Sequence, residues 1–337
     1  MTAAPLLPWA EFVACATLIA IAGPLLVRYG DAIARLTGLS RSWIGLALLA
    51  TATSLPELFT GISAVTLADA PNIAVGDALG SCIFNLAMLV ALDALTPDPP
   101  IYRRIDQGHI LTAGFGIVMV GIVGAILLAS RTELDFRILH VSAYTPLLPG
   151  LYLIALRAAF LYEPRVLAKT PEDARHSKIS IRAAVLRYLL TAAVIVVAGT
   201  WLPFIGVEIA ETMGWQTTFV GTLLIAAVTS LPELAVTIAA IRMGAPDMAI
   251  ANLLGSNLFN ILVLAVDDVA YLEGPIFAAA SPSHAVSAFG TVIMTGIFII
   301  ALIYRPEERL LGAIGWVSVS LVAVYVLVAY ASLLLGQ

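Results

Sequence analysis

The sequence predicts an all-α integral membrane protein of about ten transmembrane helices, in two inverted five-helix repeats with proline-broken helices at a central site. Three observations predict it. The 337-residue chain is 61% hydrophobic and 12% charged, against roughly 25% charged in soluble domains. The stretch Ala50-Thr51-Ala52-Thr53-Ser54-Leu55-Pro56-Glu57-Leu58 returns as Ala226-Ala227-Val228-Thr229-Ser230-Leu231-Pro232-Glu233-Leu234. Basic residues concentrate in every second connection between apolar runs.

Apolar runs of about 20 residues, the length that crosses a bilayer, fall near 9–28, 41–67, 73–95, 108–130 and 138–161. Five more fall near 184–207, 217–243, 248–271, 284–304 and 309–335. The first run reads as a retained helix rather than a cleaved signal peptide, because no Lys or Arg precedes it in residues 1–10. The second and seventh each contain one copy of the proline motif. The third and eighth each open on Ala-Pro-Asn/Asp, at Ala70-Pro71-Asn72 and Ala245-Pro246-Asp247. The longest polar stretch follows the fifth run. The expected organisation is therefore a first repeat, 1–162, with motifs at 50–58 and 80–85. A basic cytoplasmic connector, 163–183, leads to a second, inverted repeat, 184–337, with motifs at 226–234 and 255–260.

The duplication runs through the length of each half. At a constant offset of 176 positions, Gly23 meets Gly199, Gly30 meets Gly206, Gly38 meets Gly214 and Gly45 meets Gly221. Past the motif the offset is 175, and Gly80-Ser81-Cys82-Ile83-Phe84-Asn85 meets Gly255-Ser256-Asn257-Leu258-Phe259-Asn260. Leu and Ala coincide easily by chance in apolar sequence; Gly, Pro, Asn and Glu at fixed spacing do not.

Charge orients the chain. Arg28, Arg35 and Arg41 surround the first connection, Arg103 and Arg104 the third. Arg157, Arg165, Lys169, Arg175, Lys178, Arg182 and Arg187 surround the fifth, Arg242 the seventh, and Arg305 and Arg309 the ninth. The even connections hold only Arg131 and Arg137. The positive-inside rule then puts the odd connections in the cytoplasm and both termini outside. Arg28, Arg35 and Arg41 align with Phe204, Glu211 and Thr217. The repeat pattern is kept while the basic charge is lost, as an upside-down second half requires. Inverted repeats of this kind place their substrate site near the midplane.

A charged residue at mid-membrane costs roughly 2.5–3.5 kcal/mol on insertion scales, so Glu57 and Glu233 mark function by default. Pro56 and Pro232 lack an amide hydrogen, which frees the carbonyls of Ala52 and Val228 and kinks each helix. Freed carbonyls in a membrane need a partner, and a bound cation is one. Thr53, Ser54, Thr229 and Ser230 add hydroxyls; Asn85 and Asn260 add amide oxygens; Ser81 and Ser256 share a face with those asparagines. Each also has a plainer use: membrane asparagines join helices, and hydroxyls near kinks bond freed carbonyls. An all-oxygen set with two negative charges suits Ca2+, which takes 6–8 oxygens at roughly 2.3–2.6 Å. Soft metals would draw Cys, Met or His, and the four histidines form no metal-binding cluster. Cys15 and Cys82 lie in apolar runs and read as small buried hydrophobes. Asp93 and Asp268 align, about 12 Å along their helices from Asn85 and Asn260. They are either cation-attracting gates or solvated acids at helix ends. Asp267 faces Leu92 in the alignment and takes no role.

T-S-L-P-E followed by G-S-x-x-x-N, in both halves, resembles the α-repeats of the sodium/calcium exchanger branch of the calcium/cation antiporter superfamily, in its prokaryotic type. The resemblance implies two inverted five-helix halves and cation coordination by Glu57 and Glu233, with Asn85 and Asn260 at the centre. It implies further ligands from Thr53, Ser54, Thr229, Ser230, Ser81 and Ser256, and from the backbone carbonyls of Ala50 and Ala226. The chain departs from the family pattern at Ala52, Val228 and Ala251, where glycine is usual. Asp77 stands where the family often has Asn, as Asn252 does here, and joins Asp93 and Asp268 as a gate or vestibule carboxylate.

The expected activity is exchange of Ca2+ for Na+ by alternating access. Two carboxylates are balanced by one divalent or two monovalent cations, so competition for one site would couple the two fluxes. Ca2+/H+ or Na+/H+ exchange is the alternative, and a cation channel would use the same oxygens in a continuous pore. An enzyme is disfavoured, since no nucleophile–histidine constellation accompanies the glutamates. The expected partners are inorganic cations and membrane lipid, with no cofactor, no nucleic acid and no obligate protein partner. The orientation is tested by cysteines introduced near Ala70 and Arg175 in a background lacking Cys15 and Cys82. A membrane-impermeant maleimide should label the first from outside and the second from inside; same-side labelling would overturn the ten-helix reading.

Overall fold

The computed structural model describes residues 6–37, 51–96, 99–133, 135–162, 179–307 and 315–335. The first half holds α1 (Leu6–Thr37), α2 (Leu55–Thr66), α3 (Pro71–Leu95), α4 (His109–Ala129) and α5 (Leu147–Tyr162). The second holds α6 (Ile181–Met213), α7 (Thr217–Thr229), α8 (Leu231–Arg242), α9 (Pro246–Ala270), α10 (His284–Tyr304) and α11 (Trp316–Leu335). Among the described residues seven helices are long and apolar enough to cross a membrane, and α7 with α8 makes an eighth span, bent by 43°. Residues 51–53 are helical and lead into α2 across Ser54, the first-half counterpart of that bend. The earlier part of that helix, 41–50, and the connector at 163–178 lie outside the described residues.

The expected fold class holds: all-helical, with the break of each proline helix where the motif puts it. Pro56 and Pro232 occupy the first turn of α2 and α8, where a missing amide hydrogen costs nothing. The serine two residues before each proline takes up the turn, with φ/ψ of −93°/15° at Ser54 and −82°/6° at Ser230. The fifth helix differs from expectation. Residues 137–142 form a small hairpin, Arg137–Ile138 paired with Val141–Ser142, and α5 begins only at Leu147. Pro146 and Pro149 fall at its start, where a missing backbone donor costs least, so the helix begins there.

α3 and α9 form the centre, with 67% and 78% of their most apolar windows buried, against 28% for α1 and α11. Around them the packing is reciprocal. α1 lies against α8, and α6 against α2; α11 lies against α3, and α5 against α9. α1 and α6 pack on each other along the outside. Gly23 of α1 abuts the Pro232 ring, and Gly199 of α6 abuts the Pro56 carbonyl. Such exchanged contacts between equivalent parts are what a two-fold axis generates. Outward side chains such as Leu153, Leu186, Val197, Ile303 and Leu327 are exposed and apolar, and face lipid.

The crossing of α3 and α7 is set by glycine. Val220–Ile225 is a π-helical turn, and Gly80 lies so close that an added Cβ would stand 2.1 Å from the Thr222 carbonyl oxygen. Gly221 in turn meets the backbone of Ile73. Small residues of this kind let membrane helices approach at backbone distance. Gly80→Ala should therefore cost about 1–3 kcal/mol through overpacking. Thermal unfolding in detergent should show a lower Tm than for Gly116→Ala, whose added methyl meets nothing within 4 Å.

Candidate functional site

The two breaks meet at the centre of the molecule. Ser54 Oγ donates to Glu233 Oε1 at 3.1 Å, and Ser230 Oγ donates to Glu57 Oε1 at 3.4 Å. Each half thus holds the carboxylate of the other. Thr53 Oγ1 lies 3.3 Å from Ser256 Oγ, and Thr229 Oγ1 lies 3.3 Å from Ser81 Oγ. Ser81 and Thr229 also reach the Ala226 carbonyl, at 3.5 and 3.2 Å. All these side chains are buried. The polar atoms left over are matched across the halves: Glu57 Oε2 and Glu233 Oε2 have no hydrogen-bond partner among the described residues.

Of the residues singled out in the sequence, Glu57, Glu233, Thr53, Ser54, Thr229, Ser230, Ser81, Ser256 and the Ala226 carbonyl come together. Ala50 lies outside the described residues. Asn85 and Asn260 sit on the crossing helices α3 and α9, fully buried. Asn85 Nδ2 donates to Asn257 Oδ1 at 2.9 Å, and Asn257 Nδ2 donates to the Cys82 carbonyl at 3.2 Å. Asn85 Oδ1 and both amide atoms of Asn260 have no hydrogen-bond partner among the described residues. Asn257 therefore performs the joining role that asparagines take in membranes, and frees an oxygen of Asn85. The signal for it was the replacement of Cys82 by a polar residue at its repeat position. Cys15 and Cys82 are both buried thiols.

Asp77 belongs to the same cluster: its Oδ1 accepts the Thr229 hydroxyl at 2.8 Å. Asp93 and Asp268 are elsewhere and are fully buried, not solvated. Asp93 Oδ2 accepts from Gly315 N at 3.3 Å and Ser318 Oγ at 2.8 Å, ahead of and within the first turn of α11. Asp268 Oδ2 accepts from Ser142 N at 2.9 Å and from Thr145 Oγ1, ahead of α5, and its Oδ1 accepts from Ile276 N at 2.7 Å. Each ties the end of a central helix to the fifth helix of the opposite half. A second reciprocal set works at the other ends: Asn72 Oδ1 accepts from Ser281 N, and Asp247 Oδ1 from Asp106 N, both at 2.7 Å. The first turn of α3 thus meets the chain beyond the end of α9, and the first turn of α9 meets the chain beyond the end of α3. The two helices run in opposite directions.

The carboxylates at the centre lack counter-charges. None of Glu57, Glu233 and Asp77 forms an ion pair among the described residues, as Arg103 does with Glu307 and His109 with Asp247. A buried charge costs several kcal/mol unless paired. The orphaned oxygens, all hard, fit a cation of the Na+ or Ca2+ kind.

The fold and this centre define an α-helical membrane transporter made of two reciprocal halves. The sodium/calcium exchanger protein family matches residues 7–162 and 183–334; the chain belongs to that family and is a membrane cation antiporter, not an enzyme. It is 27% identical over 309 residues to the sodium/calcium exchanger MaX1 of Methanosarcina acetivorans, covering 82% of this chain and 85% of that protein. It is 28% identical over 275 residues to the inner membrane protein YrbG of Escherichia coli, covering 74% and 78%. Among solved structures, the sodium-calcium exchanger NCX_Mj soaked with 10 mM Na+ and no Ca2+ matches with a TM-score of 0.61 at 23% identity, over 96% of this chain and 97% of that one. Native YfkE matches with a TM-score of 0.63 at 17% identity, over 96% and 92%. At these identities the structures speak for the fold.

Asp268→Ala would strand two buried backbone N–H groups and the Thr145 hydroxyl, at about 1–3 kcal/mol for each abandoned donor. Its Tm in detergent should fall well below that of Leu272→Ala, which trims an exposed side chain nearby. Equal unfolding temperatures would show that the clasp carries no stability.

Proposed function

We propose that the protein exchanges Ca2+ for Na+ by alternating access, with Glu57 and Glu233 as the charged ligands of one central site. The reciprocal seating of the two glutamates carries the reading. Each gives one oxygen to the serine at the other half's helix break and keeps the second unpartnered. A cation entering between them would be held by both halves at once. Rocking one half against the other would then change which face the site opens to without dismantling either half. The hydroxyls of Thr53, Ser54, Thr229, Ser230, Ser81 and Ser256, the amide oxygens of Asn85 and Asn260, and the Ala50 and Ala226 carbonyls complete the ligand set. Neutral oxygens in such number support Na+ as the coupling ion, since they coordinate Na+ but offer a proton no strong acceptor.

In this reading the repeats span 1–162 and 184–337, and the basic connector 163–183 is cytoplasmic. The membrane is the plasma (inner) membrane, which the description of YrbG as an inner membrane protein supports, and both termini lie outside it, which the odd-connection charge bias supports.

Transport by the purified protein in liposomes tests the reading. Glu57→Gln and Glu233→Gln should each abolish 45Ca2+ uptake while leaving a monodisperse, folded protein; near-normal uptake by either would remove the central site. In the wild type an outward Na+ gradient should drive 45Ca2+ uptake at fixed pH. If a pH gradient alone drives full uptake and Na+ has no effect, the protein is a proton-coupled exchanger instead.

A further inference from the structure

The two halves differ at one place beside the centre. In the second half, Asn252 Nδ2 donates to Thr237 Oγ1 at 3.2 Å and to the Glu233 carbonyl at 3.4 Å. That space is closed by neutral, mutually bonded groups. The equivalents in the first half are Asp77 for Asn252 and Gly61 for Thr237. Neither can repeat the arrangement: Asp77 as a carboxylate donates nothing to the Glu57 carbonyl, and Gly61 has no hydroxyl.

The space vacated at Gly61 is occupied from across the interface. A Cβ at Gly61 would lie 2.4 and 2.6 Å from the two carboxylate oxygens of Asp267. That carboxylate therefore sits where a side chain of α2 would otherwise be, one turn from Glu57. Asp267 is fully buried, and neither of its oxygens has a hydrogen-bond partner among the described residues. Its neighbour Asp268 takes three donors, so the lack is particular to Asp267 and not to that end of α9. Asp77 is 1% exposed, and its Oδ2 is likewise unpartnered. Asp267 thus stands where Thr237 stands in the second half, beside the position that Asn252 holds there and Asp77 holds here. Leu92 stands at the equivalent of Asp267, so the second half contains no counterpart.

We propose that Asp77 and Asp267 form a second cation position, beside the central site on the side of the 67–70 connection, that takes a hard monovalent metal cation of the Na+ kind. The available oxygens are both of Asp267, Oδ2 of Asp77 and the Glu57 carbonyl, whose counterpart at Glu233 accepts the Asn252 amide besides its helical bond. Four oxygens suit one small monovalent ion; Ca2+ asks for 6–8. Two buried carboxylates with no basic partner make cation binding favourable there, for the reason that makes each costly when empty. The position is one-sided. An ion arriving by the 67–70 connection meets it before the centre, whereas one arriving from the opposite face meets the neutral Asn252–Thr237 pair. This proposal rests on Glu57 and Glu233 being the transport centre, and equilibrium binding separates the two.

The test counts 22Na+ bound at equilibrium to the purified full-length protein in detergent at fixed pH. Asp267→Asn, close in shape but without charge, should bind one Na+ fewer per chain than the wild type. The Glu57→Gln/Glu233→Gln double variant should keep one Na+, and adding Asp267→Asn to it should remove that ion. Asp77→Asn, which restores the residue of the other half, should reproduce the loss if Asp267→Asn proves too unstable to purify. Unchanged Na+ stoichiometry in both single variants would overturn the proposal, as it would mean that a proton already neutralises the pair. Absence of Na+ from the double Gln variant would overturn it equally. Failure of the central reading would instead appear as undiminished 45Ca2+ transport by the Gln variants, whatever the Na+ count.

Discussion

The constraint on which this structure depends is the burial of carboxylates in a bilayer without a basic side chain to neutralise them. Glu57, Glu233, Asp77 and Asp267 are all nearly or wholly inaccessible, and none is ion-paired among the described residues. Such charges demand polar company and, in the end, a positive charge. The fold supplies the company by breaking two helices where the carboxylates lie. In the proposed function the positive charge comes from outside the chain, as cargo.

Reciprocity is the means. Ser54 holds Glu233 while Ser230 holds Glu57, so neither half carries a finished centre. The same exchange recurs at the periphery. Asp93 and Asp268 clasp the entries to α11 and α5, and Asn72 and Asp247 clasp the segments ahead of α10 and α4. These clasps use backbone N–H groups ahead of helices, where spare donors are available. They tie the two halves together at both ends of α3 and α9.

Much of this architecture was legible in the sequence because its signals are costly ones. A proline and a glutamate inside an apolar run, repeated at a fixed offset, have few explanations in a membrane. The breaks fall at Ser54 and Ser230 as the prolines dictate. What escaped was what hydropathy does not encode. Ile138 and Val141 look like helix to a hydropathy scale, yet they pair in a hairpin, and the fifth helix starts late, between Pro146 and Pro149. The π-helical turn at Val220–Ile225 arises from the close approach of Gly76, Gly80 and Gly221, a tertiary matter. The burial of Asp93 and Asp268 escaped for the same reason. A carboxylate near a helix end reads as solvated until donors far away in the chain, 225 positions from Asp93 at Ser318 and 126 from Asp268 at Ser142, are brought beside it.

Inversion makes the two faces of such a protein equivalent only to the extent that the two repeats are. At the centre they are nearly so, and the serine–glutamate and threonine–serine contacts come in matched pairs. One turn away they are not. Gly61 replaces a threonine, Asp77 an asparagine, and Asp267 a leucine, and the three changes fall on one spot although they are scattered over three helices. A single acidic substitution there would be an unpaired burden. Glycine at 61 makes room for the carboxylate at 267, and the carboxylate at 77 stands on the same side of Glu57. Changes that fit one another across α2, α3 and α9 make the two approaches to the centre chemically different. The difference between the two approaches then lies in the part of the duplicated sequence where the duplication has been abandoned.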